Sequence, residues 1–288
     1  MKLLVAQKIN EEMSDLVLKK VGQKLEVSFL ATSNEDERKK IIGDADIILS
    51  MNFRRDIRED EFQLMEKAKL IQITLAGADM IPYDKLSPEI IICSNAGAYS
   101  EPIAEHAIGM MLTLARNFLP LHNELSNGIF NQTTKHKMLN GSNLGIIGFG
   151  GIGKKTAEIA RGFGMKIFAI NSSGKTDEKV DFIGTLADLN FVLRKSDFCL
   201  LSVALNKRTK TLIGKAELEL MKPNAILINV ARGELIDETS LYQHLKTHPG
   251  FKAGIEAWWI EPFNFPKFEI QYPFFGLDNF LGSPHNSW

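Results

Sequence analysis

The residues best placed to do chemistry are one glycine-rich turn and three polar side chains that follow apolar runs. The turn is Gly148-Phe149-Gly150-Gly151-Ile152-Gly153, a G-x-G-x-x-G spacing. An apolar run, 144–147, leads into it and a helix-like segment, 154–163, leaves it. In a strand–turn–helix the first glycine permits the tight turn and the second lets backbone approach a pyrophosphate. The third lets the helix pack close to the strand, so that the helix N-terminus faces the anion. The motif therefore predicts a dinucleotide site. Arg232 follows the apolar run 226–230, and an arginine at the C-terminal end of a parallel strand offers a planar fork to a carboxylate. Glu261 and His285 follow two further runs. A histidine held by a carboxylate can give a proton to a developing alkoxide. Taken singly, Arg232 reads as a surface ion-pair arginine, Glu261 as a solvated acid and His285 as a loop histidine.

The adenosine end of the dinucleotide is read one strand later. About 20 residues past the glycines, an acid at a strand end would hold the ribose hydroxyls. Here the strand 166–170 runs into Asn171-Ser172-Ser173-Gly174-Lys175, with no acid. Asn171 can still bond a ribose. Without a carboxylate nothing repels a 2′-phosphate, and Ser172, Ser173 and Lys175 offer donors and one positive charge. The balance leans to NADP(H) over NAD(H), and only slightly, because no arginine is present to grip the phosphate bidentately. A plain polar loop is the alternative.

These residues need a scaffold of alternating strands and helices. Strand candidates are 2–6, 25–30, 45–50, 70–74 and 89–93, with helices at 10–21, 36–42 and 59–68. After a long helix candidate at 100–116, with Ser100 as its N-cap, strands recur at 143–147, 166–170, 198–202, 225–229 and 251–256. The clearest helices between them are 185–194 and 237–246, and 128–141 reads as a loop. Alternating βα units imply parallel sheets covered on both faces. The tail, 262–288, reads as an ordered irregular loop, because its aromatics need burial.

Composition narrows the class. The 288 residues carry a net charge of -1, so no basic field recruits nucleic acid or anionic membrane. No apolar run approaches the roughly 20 residues that span a bilayer. Cys93 and Cys199 sit in strand-like runs and read as buried free thiols in a reducing cytoplasm; no Cys/His spacing suggests a metal.

Several of these segments together resemble the D-2-hydroxyacid dehydrogenase family, in its glycerate dehydrogenase, hydroxypyruvate/glyoxylate reductase and phosphoglycerate dehydrogenase branches. The matching stretches are 95–106, 148–153, 221–237, Glu261-Pro262 and Ser283-Pro284-His285, and they cover nearly the whole chain. The resemblance implies two doubly wound parallel-sheet domains: a flavodoxin-like substrate domain, 1–96, and a Rossmann cofactor domain, 97–284. Residues 285–288 would begin a return to the first domain, which family chains complete with a helix beyond this point. Arg232 would bind the substrate carboxylate, helped by backbone N–H groups at Ala76 and Gly77. His285 would be the acid/base and Glu261 its partner. Val203, Ala204, Val230 and Ala231 would line the cofactor; at Ala204 the family has Pro. Arg54 and Arg55 follow a strand end and could reach a substrate's far end, although the residues themselves favour a solvated basic loop. The implied activity is hydride transfer between NAD(P)H and a small 2-ketoacid or D-2-hydroxy acid. The implied setting is a cytoplasmic homodimer formed through the Rossmann domain, with no nucleic-acid or membrane partner. A dinucleotide-sensing, corepressor-like interaction protein on the same fold is the second reading, and the triad does not separate the two.

Overall fold

The computed structural model describes residues 1–30 and 34–288. The chain divides into two compact units, Met1–Ala98 and Tyr99–Trp288. In the first unit β1 (Lys2–Val5), α1 (Glu11–Val21), β2 (Glu26–Phe29), α2 (Glu35–Asp44), β3 (Ile47–Ser50), α3 (Phe53–Asp56), β4 (Leu70–Ile73) and β5 (Ile91–Ser94) follow in order. The five strands form one parallel sheet in the order β2-β1-β3-β4-β5, the doubly wound pattern of flavodoxin-like domains. Asn10 and Asn34 start α1 and α2 by accepting hydrogen bonds from Met13 N (2.9 Å) and Glu37 N (3.0 Å). Leu4, Ile42, Ile48, Phe53, Ile57 and Ile71 fill the core.

Two expectations fail in this unit. The segment 59–68 is a short 3₁₀ turn, Glu59–Leu64, rather than a helix. Glu61 is buried within it and accepts from Arg38 Nε (2.5 Å), Arg58 Nη2 (2.8 Å) and Arg58 N (2.8 Å), the last bond capping the start of the turn. Cys93 is exposed rather than buried. It lies on β5, an edge strand whose residues alternate between exposed and half-buried.

The second unit opens with α4 (Ser100–Ala115) and α5 (Phe118–Ser126). It continues with β6 (Asn143–Ile147), α6 (Gly151–Gly162), β7 (Lys166–Ile170), β8 (Phe182–Gly184), α7 (Leu189–Lys195) and β9 (Phe198–Leu201). Then come α8 (Lys215–Leu220), β10 (Ile226–Asn229), α9 (Glu238–Thr247), β11 (Lys252–Ile255) and β12 (Phe280–Gly282). Its seven strands pair in parallel as β12-β11-β10-β9-β6-β7-β8, the Rossmann order with one added edge strand. The order reverses between β6 and β9, so the C-terminal ends of these strands make the crevice where such sheets bind ligands. β9 and β10 are buried along their whole length, as strands covered on both faces must be.

Here Ser100 is the first helical residue of α4 and Tyr99 occupies the cap position, with no side-chain cap. The tail holds a strand, β12, that the sequence reading missed. Only three residues long and ending in Gly282, it is too short to show a period. Residues 285–288 stay with the second unit: Ser287 N donates to Glu256 (3.0 Å), and the Trp288 ring meets Tyr99 edge-on at 6.2 Å.

Candidate active site

The glycine turn lies at the switch point. Gly148 adopts φ +107, and a Cβ there would fall 2.4 Å from Val203 N. At Gly153 a Cβ would fall 2.5 Å from Gly148 O. Neither position admits a side chain. The missing Cβ of Gly150, by contrast, faces open space. This is the room a pyrophosphate needs in front of α6, whose first turn has neither a side-chain cap nor an acid. Gly148 N and Phe149 N both donate to Ile170 O (3.0 and 2.8 Å), which ties the turn to the end of β7. Ser202 Oγ donates to Gly148 O (2.9 Å), so Val203 and Ala204 leave β9 directly against the turn. Val230 is buried at the end of β10, with Ala231 beside it. These residues suit a dinucleotide.

Asn171 is employed locally. Its Oδ1 accepts from Ser173 N (3.1 Å) and Gly174 N (2.7 Å), and its Nδ2 donates to Lys175 O (2.8 Å). The side chain closes the loop after β7, and Ser172, Ser173 and Lys175 are left exposed on it.

Arg232 leaves the end of β10. Asn229 shapes this exit by accepting from Ala231 N (3.1 Å) and donating to Arg232 O (2.8 Å). Gly233 follows because the chain there passes the β11 exit closely: a Cβ would lie 2.3 Å from Trp258 C. Arg232 Nη1 donates to Ala231 O (2.8 Å), and its guanidinium lies 5.9 Å from the Phe263 ring centre. The Phe263 ring centre is in turn 5.9 Å from that of His285. Phe263 is thus a common neighbour of the cation and the imidazole. The sequence reading missed it, although it is the second residue after Glu261.

Glu261 is 3% exposed. One oxygen accepts from Trp258 N (3.1 Å) and the other contacts His285 Nδ1 at 2.7 Å. A carboxylate can only accept, so in this contact an ionised Glu261 would take its hydrogen bond from Nδ1–H, with Nε2 as the other ring nitrogen. His285 itself adopts φ +52, the left-handed region. A second acid, Glu256, lies fully buried at the end of β11 and also went unread.

The residues expected from the first unit lie on that unit. Ala76 and Gly77 lie on the segment that follows β4. Arg54 is exposed on α3, where Asp56 is buried and accepts from Ser50 Oγ (2.7 Å) and Met51 N (3.0 Å).

Comparison with known proteins decides the family. The family profile described as D-isomer specific 2-hydroxyacid dehydrogenase, NAD binding domain, matches residues 108–287. The chain belongs to this family. It is an oxidoreductase acting on the CH–OH group of 2-hydroxyacids with a nicotinamide dinucleotide. This dehydrogenase is 32% identical over 280 residues to the hydroxypyruvate reductase of Thermotoga maritima, covering 96% of this chain and 88% of that protein. It is 33% identical over 288 residues to the D-3-phosphoglycerate dehydrogenase of Methanocaldococcus jannaschii, covering 99% of this chain but 53%, about half, of that longer protein. Among solved structures, a glyoxylate reductase from Paecilomyes thermophila superposes with a TM-score of 0.82 at 25% identity, covering 99% and 87% of the two chains. The corepressor-like alternative finds no support in these relationships.

Proposed function

We propose that this dehydrogenase reduces a small 2-ketoacid of the glyoxylate or hydroxypyruvate type to the D-2-hydroxy acid, with Arg232, Glu261 and His285 as the working residues. The observation that carries the reading is the buried Glu261 on His285 Nδ1 at 2.7 Å, with the Phe263 ring a neighbour of both His285 and Arg232. When bound, the nicotinamide supplies the hydride. Arg232 binds the substrate carboxylate, which fixes the orientation of the adjacent carbonyl. The backbone N–H groups at Ala76 and Gly77 are proposed as further carboxylate ligands. His285 gives the proton from Nε2 to the carbonyl oxygen as charge develops there, and Glu261 offsets the imidazolium and holds its tautomer. We assign the first unit to the substrate and the second to the cofactor. Arg54 is retained as a ligand for a substrate's far end.

For the cofactor we propose a modest preference for NADP(H). Support comes from the exposed Ser172, Ser173 and Lys175 on an acid-free strand end. The deciding experiment is a panel of glyoxylate, pyruvate, hydroxypyruvate and phenylpyruvate with NADPH and NADH. Reduction of a small ketoacid is expected, and Arg232→Ala should abolish it. If no ketoacid is reduced, the reading is wrong; a tenfold preference for NADH sinks the cofactor assignment alone.

We further propose a homodimer formed through the second unit. The support is a run of exposed apolar side chains on α5 and the following segment: Phe118, Leu119, Leu125, Ile129, Phe130 and Met138. A cytoplasmic location is proposed on the two unpaired thiols. Among the described residues no helix is long and apolar enough to cross a membrane.

A further inference from the structure

Glu256 is the least explained charged residue of the second unit. It is 0% exposed, and its Oε2 has no hydrogen-bond partner among the described residues. Burying a carboxylate with an unsatisfied oxygen is costly, so such a group persists only where something depends on it. Its other oxygen accepts from Ser287 N at 3.0 Å, two residues beyond His285.

The backbone between these points is unusual. His285 is held at φ +52, in the left-handed region, which is uncommon for residues other than Gly although His, like Asn and Asp, enters it more often than most, and it persists where the surroundings hold it. The surroundings here can be named. On the N-terminal side, Ser283 N donates to Ile255 O (2.9 Å), and Ser283 O accepts from Trp258 Nε1 (2.7 Å). On the C-terminal side, Ser287 N donates to Glu256, and Trp288 Nε1 donates to His285 O (3.1 Å). Both sides are thus anchored to β11 and its exit, the same stretch that delivers Glu261. Of the two C-terminal bonds, the one to Glu256 is buried and the one from Trp288 is exposed, so the Glu256 bond is the one shielded from competing water.

We infer that Glu256 is a positioning residue for the reaction: through Ser287 N–H it locks the left-handed turn that aims His285 at Glu261. The inference rests on the proposed role of His285. It requires an acceptor at this position and not a charge, since the bond runs to a backbone N–H. An amide can supply that acceptor; a methyl group cannot.

The test compares Glu256→Ala, Glu256→Gln and Ser287→Pro in the full chain. One readout is ketoacid reduction. The other is the low-field proton resonance of His285 Nδ1–H, which reports the bond to Glu261 without turnover. In Glu256→Ala, kcat should fall about 10- to 100-fold while KM for the ketoacid stays within about threefold, because the acid/base is misaimed but the carboxylate grip is intact. The Nδ1–H resonance should broaden or vanish. Glu256→Gln should restore the resonance and bring kcat back to within about fivefold of the parent. Ser287→Pro removes the donor and leaves Glu256 in place, so it should reproduce the alanine phenotype even if Glu256→Ala folds poorly. The inference is overturned if Glu256→Ala keeps both kcat and the resonance, if Gln is as damaging as Ala, or if Ser287→Pro has no effect. Should the parent reduce no ketoacid, the proposed reaction fails, and the resonance still decides the clamp.

Discussion

At the scale of residues, the site depends on groups whose surroundings leave little freedom. Arg232 is the case where shape matters as much as charge. Lysine keeps the charge but loses the planar fork, so Arg232→Lys should lower kcat/KM by about two orders of magnitude, near 3 kcal/mol, with the protein folded. Steady-state kinetics with circular dichroism checks this. The two cysteines make an opposite pair. Burial pushes the Cys199 thiol up to about 12, whereas Cys93 is exposed on an edge strand. A thiol reagent should therefore label one cysteine in the native protein and both after denaturation. Labelling of Cys199 in the native state would contradict its burial. Sequence alone put both thiols inside, because an apolar run does not say whether its strand is central or at an edge.

Elements carry two further expectations. The close pass of β10's exit against β11's exit has no slack. A Cβ at Gly233 would meet Trp258 C at 2.3 Å and Trp259 N at 2.4 Å, both backbone atoms that cannot swing aside. Gly233→Ala should cost about 3 kcal/mol and drag Arg232 out of place, to be read as a lower Tm together with lost activity. At the end of α9, His244 stacks on His248 at 4.1 Å and packs edge-on to Phe251. Burial, and then the neighbouring His248, depress the His244 imidazole from 6.5 to about 4. The folded state thus disfavours the protonated ring. Its contribution to stability is complete above pH 6.5 and is lost as pH falls toward about 4. His244→Gln should flatten Tm against pH across that interval. An unchanged slope would show that other groups govern it.

On the scale of the whole molecule, the exposed apolar run from Phe118 to Met138 is the surface most in need of a partner. Leu125→Asp with Phe130→Asp should convert the proposed dimer to a monomer in sedimentation, while the second unit keeps its fold. The sequence by itself determined the βα alternation, the glycine turn and the family, because each rests on local spacing: apolar runs of strand length, glycines where backbone must turn, and motifs read in order. It also named Arg232, Glu261 and His285, and paired the last two only through the family resemblance, since 24 residues separate Glu261 from His285 and no spacing joins them. The tertiary structure turns that pairing into a contact, by setting β12 parallel to β11 so that both residues emerge on neighbouring strand exits. Phe263 and Glu256 escaped for the same reason. An aromatic or an acid gains a role from what surrounds it, and burial, an orphaned oxygen and a left-handed histidine are properties of packing that no spacing encodes.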